Sequence, residues 1–235
     1  MADSAHASAP PPAVRRVTPG APLRWLARGW ADLRAHPLPS AFYGACFALM
    51  GWLLALVFEH AAAYVAALVA GFFLVGPFLA TGLYALSRRR ERGETVALEP
   101  TLDAWRPEVG AISVFALVLT VILLVWARAS LVVFALFYTQ GMPSLQGFLG
   151  QLVSPDNLEF LFAYACVGGF FALLTFAISV VSVPMMLDRG TDGVVAVLTS
   201  VRAFGANLPA MLVWGAAIVV VIANVSSAKK PPTQA

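Results

Sequence analysis

Arg128 is the side chain with the strongest claim to unusual chemistry, because it is the charged residue that lies well inside an apolar run, Val121–Val133. A guanidinium in hydrocarbon costs at least a few kcal/mol unless it reaches the interface or meets a counter-charge. Two roles fit its position. It can be a structural cation that snorkels or pairs with Glu159, Asp156 or Glu59, or it can contact an anionic ligand or partner. If its helix begins near Ala111, Arg128 stands about 25 Å along it, in the outer half of a bilayer. The apolar stretch around it is longer than a span requires, so the snorkelling role is open as well.

Other residue types with chemical potential are badly placed for it. His6 lies in the N-terminal tail, His36 at the end of an amphipathic segment and His60 at a turn between apolar runs. A haem or metal centre in the membrane needs His, Cys or Met projecting inward from the spans, and no apolar run contains a His. The two cysteines, Cys46 and Cys166, fall inside apolar runs, where lone thiols act as small packing residues. No glycine-rich phosphate loop, nucleophile elbow or HExxH motif is present. Glu91, Glu94, Glu99, Asp103 and Glu108 share one segment with several arginines, a mixture that marks a solvated face. The sequence therefore predicts no catalytic, cofactor-binding or metal-binding residues.

The elements that carry these residues are five long apolar runs: Ala41–Phe58, Ala62–Leu86, Ala111–Tyr138, Phe160–Leu187 and Leu208–Val225. Each is close to the roughly 20 apolar residues that cross hydrocarbon as a helix. Hydrophobic residues make up 60% of the chain and charged residues 11%, against about a quarter charged in soluble domains. Mean hydropathy is +0.82. This is the composition of a polytopic membrane protein.

Arginine placement gives the orientation. Arg15, Arg16, Arg24, Arg28 and Arg34 precede the first run; Arg88, Arg89, Arg90, Arg92 and Arg106 lie between the second and third; Arg189 and Arg202 lie between the fourth and fifth. The alternate loops, Glu59–Ala61 and Thr139–Glu159, contain no Lys or Arg. By the positive-inside rule the N-terminus is cytoplasmic. The same asymmetry accounts for the net charge of +3 without a nucleic-acid partner. Residues 1–22 read as a disordered cytoplasmic tail without a signal-peptide core, and 226–235 as a second tail.

Two segments on that side have helical amphipathicity. Leu23–His36 sets Leu23, Leu26, Trp30 and Leu33 on one face with Arg24, Arg28 and Arg34 on another, the pattern of an interfacial helix. Trp30 and Arg34 are its expected anchors, and Arg88, Arg89 and Arg90 anchor the end of the second run among lipid headgroups. Thr191 is the expected cap of a second such helix reaching Ala206, with Val194, Val195, Leu198, Val201 and Phe204 on its apolar side. Aligning the two segments sets His36-Pro37 against Asn207-Leu208, a weak internal repeat in which an interfacial helix leads into a span. Small residues recur four apart at Gly44/Ala48, Gly51/Ala55, Ala67/Gly71, Gly76/Ala80 and Gly168/Ala172, which lets helices approach closely in lipid. Pro77 and Pro184 are expected kinks.

Arg28-Gly-Trp-Ala-Asp-Leu-Arg-Ala-His-Pro37 with Phe42-Tyr-Gly44, Gly76–Tyr84 running into Ser87–Glu94, and Thr191–Trp214 together resemble the DUF2189 family of bacterial integral membrane proteins, over roughly residues 24–224. The resemblance implies about six spans and no assigned activity. Some members carry a label linking them to cytochrome c oxidase subunit I, yet the haem- and copper-binding histidines of that subunit have no counterparts here. A sixth span expected after Val225 is replaced by Ser226–Ala235.

The expected fold is thus an all-α, polytopic transmembrane bundle of five spans with cytoplasmic interfacial helices. The expected role is a non-enzymatic accessory or assembly factor for a membrane complex, a respiratory one if the family label is followed. The alternative is a small-solute transporter or channel with Arg128 in an outward vestibule. The expected partners are the lipid bilayer and other membrane proteins, or a second copy.

Overall fold

A computed structural model describes residues 13–60, 65–137 and 158–227, which are helical almost throughout and, among these described residues, contain no strand. The outer parts of both expected tails, the turn after His60 and the loop from Thr139 through Asp156 lie outside the described residues.

The first helix, α1 (Ala21–Ala35), starts with Pro22 in its first turn and ends where the His36 N–H bonds Asp32 O. It runs two residues further back than expected. Pro37 does not terminate structure there; it opens α2 (Pro37–His60), the helix position where a missing N–H costs nothing. Next come α3 (Val65–Glu91), a short α4 (Glu99–Leu102), a single 3₁₀ turn at Arg106–Glu108 and α5 (Val109–Phe137). The chain continues with α6 (Leu158–Ser179), α7 (Ser182–Arg189), α8 (Gly193–Ala206) and α9 (Leu208–Ser227).

Two expectations are corrected here. The fourth run is not one continuous helix, because α6 and α7 are separated at Val180–Val181. Pro184, with no N–H to return to Val180 O, sits in the first turn of α7, where proline is tolerated. The second correction concerns the cap of α8. Asp192 and not Thr191 holds it, by accepting from Val194 N at 2.8 Å; a capping oxygen must reach the second or third amide of the helix.

Among the described residues four stretches are long and apolar enough to cross a membrane: Pro37–Val57, Ala67–Glu91, Glu99–Phe137 and Leu158–Arg189. The fifth expected span, α9, passes that test only together with α8, and the two meet at 101°. The protein is a polytopic helical bundle with four candidate spans among the described residues, and five where the bent pair crosses as one.

Its interior lies toward the arginine-bearing end. Ile112, Phe115 and Leu119 of α5 pack with Ile178, Val183, Met186 and Ala196, and Phe73, Phe78, Trp105 and Leu174 close around them. Small and hydroxylated residues supply much of the remaining buried surface, as at Thr81, Ser182 and Ser200. The large aliphatics mostly face outward: Leu117, Leu124, Val132 and Phe162 are all exposed. A water-soluble bundle would reverse this arrangement, whereas lipid removes the penalty for it. The same inversion governs α8. Val194, Val195, Leu198 and Val201 point outward while Ala196, Thr199, Ser200 and Ala203 pack inward.

Candidate functional site

The polar chemistry of the described residues converges at the arginine-bearing ends of the helices. Asp32 of α1 accepts from Ser87 Oγ at 2.6 Å and from the Arg90 guanidinium, which ties α1 to the end of α3. Arg88 donates to Leu187 O at 2.8 Å, and its Nε stands 3.5 Å from Asp188 Oδ1, linking α3 to α7. That last contact is an ion pair without hydrogen-bond geometry, since Nε is buried and has no acceptor. Arg92 reaches the same Asp188 carboxylate at 3.9 Å, and Arg89 lies 3.9 Å from Glu94. Of the arginines expected to anchor the lipid interface, Arg88 and Arg90 are therefore also cross-links between helices. Arg34 stacks over the Trp30 ring at 5.0 Å, a cation–π contact that keeps both anchor residues of α1 together on an exposed surface.

A second polar joint seats the α4 segment. Thr101 gives its hydroxyl proton to Leu98 O at 2.6 Å, so it accepts from Tyr43 OH at 2.9 Å. Tyr43 crosses Gly82 to reach it. A Cβ at Gly82 would lie 2.2 Å from the Tyr43 ring and hydroxyl, so α2 and α3 can be this close only with glycine there.

The third joint holds the N-terminal segment, which was expected in the disordered tail. Asn207 Oδ1 accepts from Val17 N at 2.7 Å, while Nδ2 donates to Arg15 O and Ala203 O, each at 3.0 Å. Residues from Ala13 to Gly20 thus run as a strap over the α8–α9 corner. His36 and Asn207 each end a helix that leads directly into the next, with φ and ψ of −132° and 67° and of −128° and 31°, but the His36 N–H bonds the carbonyl four residues back and the Asn207 N–H the one three residues back.

Arg128 and Glu159 are not brought together. Arg128 is exposed on α5, about 28 Å from Val109 along the helix, and forms no ion pair or hydrogen bond among the described residues. Glu159 is exposed in the first turn of α6. Asp156 and the Glu59 side chain lie outside what is described. No group of three or more His, Cys, Asp or Glu residues among the described ones is arranged to hold a metal ion. Cys46 is half-buried, Cys166 is exposed, and both are free thiols.

Ser200 is the polar residue that the sequence does not single out. Fully buried, it accepts from Val181 N at 3.1 Å and donates to Ala177 O at 2.8 Å, satisfying the break between α6 and α7. The available signal was a serine on the small-residue face of α8, opposite Val194 and Leu198.

A family model described as "Predicted integral membrane protein (DUF2189)" matches residues 64–188, from α3 to α7. The match takes in the Arg88–Asp188 link and the broken fourth run. No curated protein and no solved structure matches the chain. The chain belongs to the DUF2189 family of integral membrane proteins.

Proposed function

We propose that this protein is a non-enzymatic accessory or assembly factor of a bacterial inner membrane, N-terminus cytoplasmic, that binds another membrane protein through α2. The observation behind this is the outer face of that helix. Gly44, Ala48, Gly51 and Ala55 are all exposed, and a Cβ built on Gly44 or Gly51 meets nothing within 4 Å. Only 6% of the apolar window in Pro37–Val57 is buried, the smallest share of the four stretches. Such a face admits a partner helix at close range, where dispersion and weak Cα–H···O contacts add up. The Asp32–Arg90 and Arg88–Leu187 joints at the arginine-bearing end hold α1, α3 and α7 together, which suits a scaffold better than a catalyst.

Purification from native membranes in mild detergent, with Gly51→Leu beside the unaltered chain, tests this. A partner membrane protein lost on introducing the leucine supports the reading. A partner retained in full, or only a self-associated chain that the leucine does not disturb, overturns it.

A second reading, a small-solute transporter or channel, draws on the guanidinium of Arg128, which has no ion pair among the described residues. Anion uptake that falls at least tenfold in Arg128→Gln favours it; unchanged uptake removes Arg128 from any such pathway.

A further inference from the structure

Between the end of α3 and the α8–α9 corner there is a cavity of about 590 Å³, roofed by α1 and the N-terminal strap. It is divided chemically into two parts. Its floor is apolar: Met185, Ala203 and Met211 line it and are almost fully buried, with Trp25 closing one side. Trp25 is held in place edge-on against Trp214, ring centroids 5.9 Å apart. The rim is charged, with Arg15, Arg88 and Arg189 beside Glu91 and Asp188.

The rim charges are unequal in what they leave free. Asp188 is shared between Arg88 and Arg92. Arg15 and Arg189 are exposed and make no ion pair among the described residues. Two uncommitted guanidiniums over an apolar floor match a molecule with an anionic head and a hydrocarbon tail. Glu91, the carboxylate without an ion pair on this rim, would repel a bare anion and accept from hydroxyl donors carried beside it. Tyr84 at the cavity wall and the two tryptophans are residue types enriched at the headgroup level.

We propose that this cavity binds one anionic amphiphile, a phosphodiester lipid with hydroxyl donors in its headgroup, with Arg15 and Arg189 on the phosphate and the acyl chain over Met185 and Met211. The strap is then part of the site, because Asn207 fixes the backbone on either side of Arg16 and so positions Arg15 over the rim.

The test is native mass spectrometry of the full chain in detergent, exposed separately to phosphatidylglycerol and phosphatidylcholine. One phosphatidylglycerol should be retained per chain, with phosphatidylcholine retained at least fivefold less. Retention should fall at least fivefold in the double variant Arg15→Gln/Arg189→Gln. It should persist in Arg16→Gln/Arg28→Gln, which removes the same charge from exposed positions outside the cavity. Both pairs are on the surface, so the fold is kept, and circular dichroism checks that. Equal loss in the two double variants would reduce the effect to diffuse surface charge and overturn the site. Retention of phosphatidylglycerol in Arg15→Gln/Arg189→Gln would do the same. Displacement by millimolar inorganic phosphate would assign the rim to a free anion and overturn the amphiphile.

Discussion

Asn207 accepts a hydrogen bond from the backbone N–H of Val17, 190 positions earlier in the chain, at 2.7 Å. Its amide also donates to Arg15 O and Ala203 O, so one side chain 4% exposed joins the strap, α8 and the turn into α9. Replacing it with leucine keeps the approximate volume and removes every one of these bonds. The Val17 N–H is near the surface and recovers water, while the corner loses its tie. We expect Asn207→Leu to lower stability by about 1–3 kcal/mol and to speed tryptic cleavage after Arg15 or Arg16 several-fold. Equal cleavage rates would mean the strap is held by something other than Asn207.

Ser200→Ala addresses the break in the fourth run. The hydroxyl is 0% exposed and satisfies Val181 N and Ala177 O. Two backbone groups would lose this partner, the Ala177 carbonyl at a buried position, for the removal of one oxygen. The expected cost is about 1–3 kcal/mol, measured as a lower midpoint in a detergent unfolding titration. An unchanged midpoint would show that the hydroxyl does not stabilise the break.

These two residues also mark the limit of what the sequence makes legible. Hydropathy is a local property, so the long apolar helices, the amphipathic α1 and the arginine asymmetry could be read directly. Pro184 marked the break near Val180, but the serine that satisfies it arrives from α8 after a chain reversal, and no local pattern contains that contact. The strap was unreadable for the same reason: Ala13–Gly20 is polar and proline-bearing, and its order comes from Asn207. Arg128 was legible as an outlier, but of its three possible counter-charges only Glu159 is described, and the two form no ion pair, since what faces a charge across two helices is not written in either one's local pattern. In α8 the amphipathic stripe was identified and its direction was not, since in lipid the large aliphatics face out and the small residues pack.

Asp32→Asn tests how firmly α1 is tied to α3. The aspartate side chain is 25% exposed and that of Arg90 36%, so water screens much of the pair and the net loss should stay within about 1 kcal/mol. The effect should be local. Backbone amide exchange in α1 should quicken while that of α5 is unchanged, and added salt should reproduce part of the effect in the unaltered protein. Faster exchange throughout the bundle would show that Asp32 supports more than the position of α1.

Two glycines make opposite predictions for the same substitution. A Cβ on Gly193 would lie 2.8 Å from Ala111 O, a backbone atom that cannot rotate away. Alanine there gains helix propensity of at most about 1 kcal/mol, while forcing α8 off α5 costs about 1–3 kcal/mol, so the steric term wins and Gly193→Ala destabilises. At Gly44 nothing lies within 4 Å, and propensity acts unopposed. Gly44→Ala should leave the isolated protein as stable as before or slightly more so. If α2 carries a partner helix, the same alanine should weaken that complex while the monomer is unharmed. Thermal unfolding of both variants, with and without the co-purified partner, separates the two effects; a monomer destabilised by Gly44→Ala would place that face inside the fold instead of outside it.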